Sequence, residues 1–361
     1  MIQVDRTPQA ELVAGGVGLV EVFAKEVIIS SKEDSDSPAD RLSFGDHRVS
    51  PVLQFLDLRL NTDENQKEKI NPPQLLPLSQ YSLGLYPNFL ARIQSLSGIR
   101  VPIQTEATIQ YLPEGSNTRL AEQSLDPRQL AVALLAAVRA TSIDLREHTE
   151  LQVTEDWPRG RTAFTRTGEQ LRVQSVVFAT GAWAQTRPLH LRNQNLSVIP
   201  IKGQMLRLQI PANLSLREVH RSEHIYIVPR TTGPQAGTAL IGATLETSGF
   251  DTSTNPIDQA NLRTRAAALI PAFASETQSP LIESWAGLRP ATPDHLPILG
   301  HDSYPNEFLA LGHFRNGILL APATAVILAD LIEGHQPAID LTPFSPARFN
   351  PTKILSTPQT Q

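Results

Sequence analysis

The residue types best suited to chemistry gather in the last third of the chain. Gly312-His-Phe-Arg-Asn-Gly317 is a glycine-bounded loop between an apolar run, Phe308–Leu311, and a helical pattern. A loop entering a helix N-terminus collects free backbone N–H groups and the positive end of the helix dipole, which suits a phosphate or a delocalised anion. Arg315 adds a planar cation that fits a carboxylate. A plain strand-to-helix turn with a surface arginine accounts for the same spacing. Arg289, in Ser284-Trp-Ala-Gly-Leu-Arg-Pro-Ala-Thr292, stands at a strand end before Pro290. It is either a site residue or the ion-pair partner of a nearby acid such as Asp294. Tyr226, among Ile225, Ile227 and Val228, either offers a phenol to a pocket or simply packs.

Other chemistries lack their residues. His220 and His224 form an H-x3-H spacing without a third ligand, so no metal site is expected. No G-x-S-x-G, no Walker lysine pattern and no suggestively spaced carboxylate pair is present. Asp251 and Asp294 read as turn residues. The chain has no Cys, which excludes thiolate catalysis, iron–sulfur ligation and disulfides. Gly16-Val-Gly-Leu-Val-Glu21 approaches the dinucleotide fingerprint, but Glu21 replaces the third glycine. The run Val20–Ile29 is β-branched, and Glu33 comes only 17 residues after Gly16, against the ~20 or more usual before the ribose acid.

Among 361 residues the net charge is −5, so nothing marks a nucleic-acid partner. The apolar stretches Leu12–Val20 and Gly317–Ile332 are too short or too interrupted for a membrane span. With no signal-peptide pattern, a soluble cytoplasmic protein is expected. Residues 31–37 and 61–69 are charged runs of solvated texture, an enzyme-like texture starts at Pro72, and 351–361 is a tail. Asp126-Pro127 opens a helix with Leu130, Leu134 and Val138 on one face. Arg172–Ala179 reads as a strand. Strand patterns at Gln204–Ile210, Ile225–Val228, Ala239–Leu245 and Ile282–Trp285 point to an antiparallel sheet lobe. Pro322 belongs in a first helical turn, which places the start of the last helix near Leu319; Gly334 ends it.

Taken together, these segments resemble the FAD-dependent D-amino-acid oxidase superfamily. The resemblance is carried by Ser175–Ala184, Pro200-Ile-Lys-Gly-Gln-Met-Leu206, Tyr226-Ile-Val-Pro-Arg230, Leu240–Glu246, Glu283–Pro290 and Gly312–Thr324. The last two, with Pro343–Phe349, resemble specifically the glycine oxidases of thiamine biosynthesis; Ser82-Leu-Gly-Leu-Tyr-Pro87 and Arg146–Thr149 also fit.

The resemblance implies a two-lobed α/β (α+β) fold: a Rossmann-like FAD lobe, mainly 126–190 and 286–350, and a mainly antiparallel substrate lobe, mainly 72–125 and 191–285. It implies oxidation of glycine or a similar small amino acid, with hydride passing to FAD and O2 as the final acceptor. The imine product would go to a thiazole synthase, and a homo-oligomer is compatible. Sarcosine or a D-amino acid is an alternative substrate, and a flavin-free, non-catalytic relative an alternative role. By similarity, Arg289, Tyr226 and Arg315 bind the substrate carboxylate. Leu151, Thr180, Gly181 and the run His313, Phe314, Arg315, Asn316, Gly317, Ile318, Leu319 contact the cofactor. No side chain serves as a catalytic acid or base, and orientation does the work. Residues 1–71 depart from the family pattern. Pro8-Gln-Ala-Glu11 resembles the end of a segment that ought to follow the first βαβ unit, so that unit is expected to be missing or degenerate.

Overall fold

A computed structural model describes residues 2–4, 26–29, 72–158, 160–186 and 196–349. Gly16–Glu21, Glu33, Pro8–Glu11, both charged runs and the 351–361 tail lie outside the described residues.

Two large sheets organise the chain. The first runs in the order Ile298–His301, Glu307–Leu311, Ser175–Phe178, Glu26–Ile29, Ile2–Val4, Leu145–Glu147. Ser175–Phe178 and Glu307–Leu311 are parallel, and both are buried along their whole length, as strands covered on two faces must be. Ile2–Val4 and Glu26–Ile29 pair antiparallel. A βαβ crossover joins parallel strands, so this pair is not such a unit. The sheet belongs to a mixed α/β fold.

Helix α1 (Leu75–Ser97) and the apolar final helix pack together on this sheet. Leu75, Leu78, Leu320, Ala323, Ile327, Phe308 and Ala310 form one buried cluster, each large side chain stabilising by roughly 1.5–3 kcal/mol. Helix α1 is not legible as one, because Pro87 interrupts it; it stops at Gly98, whose φ of 69° suits a left-handed cap. Helix α2 (Pro127–Arg139) starts as expected, with Asp126 Oδ1 accepting from the Arg128 amide at 2.9 Å.

The second sheet has the order Leu281–Ala291, Ile199–Gln209, Thr238–Gly242, Tyr226–Arg230, Val219–Arg221, Thr108–Tyr111, Asn117–Leu120. Its pairs are antiparallel except Val219–Arg221 with Thr108–Tyr111, which is parallel. Helix α3 (Pro256–Leu269), capped by Asn255, closes its core with Leu262 and Ala266, joined by Phe273 just beyond it, against Leu206, Leu208, Ile227 and Ile241. Among the described residues, no helix is long and apolar enough to cross a membrane.

Two expectations need correction. Arg172–Ala179 is two strands, Gln170–Val173 in a three-stranded sheet and Ser175–Phe178 in the six-stranded one. The break follows the change from alternating to continuous burial. It lies where Gly160 presses on the chain, close enough that an added Cβ would sit 2.1 Å from Val173 O. The last helix, α4, runs Gly317–Ile332, beginning two residues before Leu319. Pro322 is therefore beyond the first turn, and neighbouring side chains take over the backbone bonds it cannot make.

Candidate functional site

One face of the second sheet meets the N-terminus of α4 around a half-open cavity of about 280 Å³. Arg289 comes from the edge strand, Tyr226 from three strands further in, and Arg315, Asn316, Ile318 and Leu319 from the loop and first turn of α4. Arg221, Arg230, Glu122 and Tyr86 are among the other polar lining residues. The structure thus brings together all three residues singled out for carboxylate binding.

Backbone geometry explains how two of them reach the cavity. Arg289 pairs with Ile201, and Gly203 is its diagonal neighbour on the same face. The guanidinium lies in the space a side chain at Gly203 would fill: an added Cβ would be 2.0 Å from Nη1. Arg289 Nη1 also donates to Thr244 O at 3.3 Å. Tyr226 pairs directly with Gly242, whose added Cβ would stand 2.4 Å from the phenol oxygen. The ring therefore lies across Gly242, and its hydroxyl reaches Met205 Sδ at 3.4 Å. Glycine inside a strand signals such a close approach, and that signal was present in Pro200–Leu206 and Leu240–Glu246.

The edge strand is held by charge. Arg128 donates from Nη1 and Nη2 to the two Glu283 oxygens, at 2.9 Å each, and lies 4.5 Å over the Trp285 ring. Arg207 Nη1 approaches the same carboxylate at 3.0 Å.

The α4 loop is fixed from several sides. Gly312 has a φ of 70° and backs onto Thr292. The Phe314 amide donates to Pro290 O at 2.8 Å, tying the loop to the residue after Arg289. His313 is buried, with Nε2 and Thr324 Oγ1 3.0 Å apart, and Phe314 stacks on His295. Arg315 has no hydrogen-bond or ion-pair partner among the described residues. Its side chain is solvent-accessible in the half-open cavity, and the protein packed around it pulls its guanidinium below the usual range, helped by Arg289.

The alternative readings fare differently. Asp294 is bound by Arg348, with Nε to Oδ2 at 2.7 Å, so it is not the partner of Arg289. Asp251 and Asp294 do accept from the nearby Ser253 and Leu296 amides, as turn residues do. His220 Nδ1 lies 2.9 Å from the Tyr111 hydroxyl, while His224 is exposed beside Glu223. Among the described residues, no cluster suited to a metal exists.

Leu151, Thr180 and Gly181 are not part of the cavity lining. Leu151 is buried at the start of the strand Leu151–Trp157, and Thr180-Gly181 follows Ser175–Phe178 at its C-terminal end, where ligands of open α/β sheets gather. Thr180 Oγ1 is buried with no partner among the described residues, and Gly181 has a φ of 54°. Asn316 makes no capping bond to α4. An unpartnered hydroxyl and an uncapped helix start are features a bound dinucleotide would satisfy.

Residues 71–331 match the DAO family, FAD dependent oxidoreductase. The chain is 38% identical over 250 residues to the glycine oxidase of Geobacillus kaustophilus (strain HTA426), covering 69% of this chain and 62% of that protein. It is 38% identical over 216 residues to the Bifunctional protein ThiO/ThiG of Nostoc sp. (strain PCC 7120 / SAG 25.82 / UTEX 2576), covering 58% and 31%. The crystal structure of the Geobacillus kaustophilus glycine oxidase shares the fold with a TM-score of 0.70 at 29% identity, over 77% of this chain and 84% of that one. The chain spans less than two thirds of the length of these curated relatives.

Proposed function

Because the chain belongs to the DAO family of FAD dependent oxidoreductases, we propose that it oxidises glycine or a similarly small amino acid, using FAD and O2. The observation that carries this reading is the pair Arg289 and Arg315. Both line one cavity, and neither makes an ion pair among the described residues. Two such cations in one half-open cavity favour an anion, and a guanidinium fits a carboxylate through two parallel bonds. Tyr226 lines the same cavity and adds a phenol.

FAD, when bound, supplies a two-electron acceptor that O2 can reoxidise. Thr180, Gly181, Leu151 and the run His313–Leu319 would hold it, with the α4 N-terminus placing positive dipole charge beside it. The chain contributes orientation: Arg289, Arg315 and Tyr226 fix the carboxylate, and so fix where the α-carbon points. Glu122 is the carboxylate of the cavity lining, and Arg221 binds it at 3.1 Å, so it is not poised as a base. Similarity to a relative whose name couples ThiO with ThiG supports delivery of the imine product to a thiazole synthase in thiamine biosynthesis.

The test is a visible spectrum followed by turnover. Purified chain supplied with FAD is expected to show flavin bands near protein stoichiometry, which glycine bleaches anaerobically. Arg289→Ala is expected to keep the bands while raising the KM for glycine about tenfold to a hundredfold, the worth of a charge-assisted hydrogen bond. A protein that stays colourless with FAD would instead be a non-catalytic relative. The antiparallel pairing of Ile2–Val4 with Glu26–Ile29 favours that second reading.

A further inference from the structure

Helix α4 begins with a fault in its hydrogen-bond ladder. Pro322 has no N–H to give to Ile318 O, and its ring crowds that carbonyl. Helix α1 makes good the loss. Tyr86 Oη donates to Ile318 O. One turn earlier, Ser82 Oγ donates to Leu319 O at 2.6 Å and accepts from the Ala323 amide at 3.2 Å, inserted where those two would otherwise bond. Both side chains are buried, and burial pushes the Tyr86 phenol up, so it stays a donor at neutral pH. Tyr86 also lines the cavity, next to Ile318, Leu319, Asn316 and Arg315.

We propose that Tyr86 is a positioning residue for the substrate site: its hydroxyl fixes the first turn of α4, and through it the loop carrying Arg315. The inference rests on the carboxylate reading of the cavity. If Tyr86 were there only to fill space, its hydroxyl would be dispensable for binding. If it acts as a substitute donor, the need for it should vanish once the backbone donor is restored. Pro322→Ala restores that donor, because the residue 322 amide can then bond to Ile318 O.

The experiment compares the full chain with Tyr86→Phe, Pro322→Ala and the double variant, by calorimetric titration with acetate and by thermal unfolding. Acetate carries the carboxylate without an oxidisable amine, so the binding readout does not depend on turnover. Tyr86→Phe leaves a buried carbonyl unsatisfied and is expected to weaken acetate binding roughly threefold to tenfold. In flavin-loaded protein it should raise the KM for glycine by a similar factor, with kcat changing less. Adding Pro322→Ala should return the affinity to within about twofold of the parent, a coupling expected of groups sharing one acceptor. Unchanged acetate binding in Tyr86→Phe overturns the proposal, as does a loss that Pro322→Ala fails to restore. Should Tyr86→Phe not fold, the double variant is still expected to fold and bind, and its failure also counts against the proposal. A parent chain that binds no acetate removes the carboxylate reading itself, and this inference with it, a result distinct from the others.

Discussion

The Arg289 guanidinium occupies the place a side chain at Gly203 would take, 2.0 Å from Nη1 to the site of an added Cβ. The atom in the way is the far end of a flexible side chain, so the fold can accommodate Gly203→Ala by letting the arginine swing aside. The binding site cannot, because the carboxylate clamp needs that guanidinium in place. Gly203→Ala is therefore expected to leave the thermal midpoint nearly unchanged while weakening acetate binding by roughly tenfold to a hundredfold. Gly242→Ala, which displaces the Tyr226 phenol, should behave in the same way with a smaller loss, since a neutral hydrogen bond is worth less. Titration calorimetry beside a melting curve checks both. A fall in stability with intact binding would show that the glycines serve packing alone.

These two glycines also show how much of the site was legible. Arg289, Tyr226 and Arg315 were candidates by type and place, each with a plain structural alternative, until the family resemblance singled them out; they meet at one cavity. Lone side chains do not show what they lie upon, so the spaces over Gly203 and Gly242 needed the strand register. Helix α2 was readable because Asp126-Pro127 is a local starting signal. Helix α1 was not, because Pro87 lies inside it and tertiary contacts decide its state. Pro322 did carry a usable hint: a proline within an apolar helix leaves a carbonyl in need of a donor. The Ser82 and Tyr86 hydroxyls, four residues apart on one helix face, supply it only once two distant segments are placed side by side.

Lys202 and Asp251 give a pH dependence whose sign is set by the acid. The Lys202 ammonium, its side chain buried, lies 2.8 Å from Asp251 and 3.6 Å from Glu246. The Lys202 hydrogen bond, then the Ser253 bonds, lower the Asp251 carboxyl to about 2 from an ordinary 3.8. A depressed folded-state pKa stabilises above the unfolded value and loses its effect as pH falls through the folded one. Asp251→Asn is thus expected to lower the urea midpoint at pH 7 and pH 5. The gap from the parent should narrow below about pH 4 and close near pH 2. Burial pulls the Lys202 ammonium down, but its acidic partners more than offset this and leave it raised. Its contribution persists through neutral pH and fades only in strong alkali. A gap that stays constant from pH 5 to pH 2.5 would remove the ion pair as the cause.

Glu307 and Arg161 test the strand that delivers the α4 loop. Glu307 begins Glu307–Leu311, the strand leading into Gly312, and its carboxylate meets Arg161 Nη2 at 2.7 Å. The two side chains are 0% and 2% exposed, so neither charge can turn to water if the other is removed. Taking away one partner of a buried pair typically costs about 3–5 kcal/mol, mostly the penalty of the charge left behind. Glu307→Ala is expected to lower stability by that order, read as a fall in the urea midpoint at unchanged slope. Arg161 also lies 5.4 Å from the Tyr304 ring centre, and a methionine is close to it in length. The double change Glu307→Leu with Arg161→Met removes both charges together, and should recover most of the loss because replacing a buried pair by well-packed apolar groups is often neutral. Acetate affinity, read in the same double variant, should stay within about twofold of the parent, since the loop is also held through Pro290 and Thr324. A Glu307→Ala chain as stable as the parent would mean that the charges are already relieved by other groups, and that the strand owes its place to apolar burial alone.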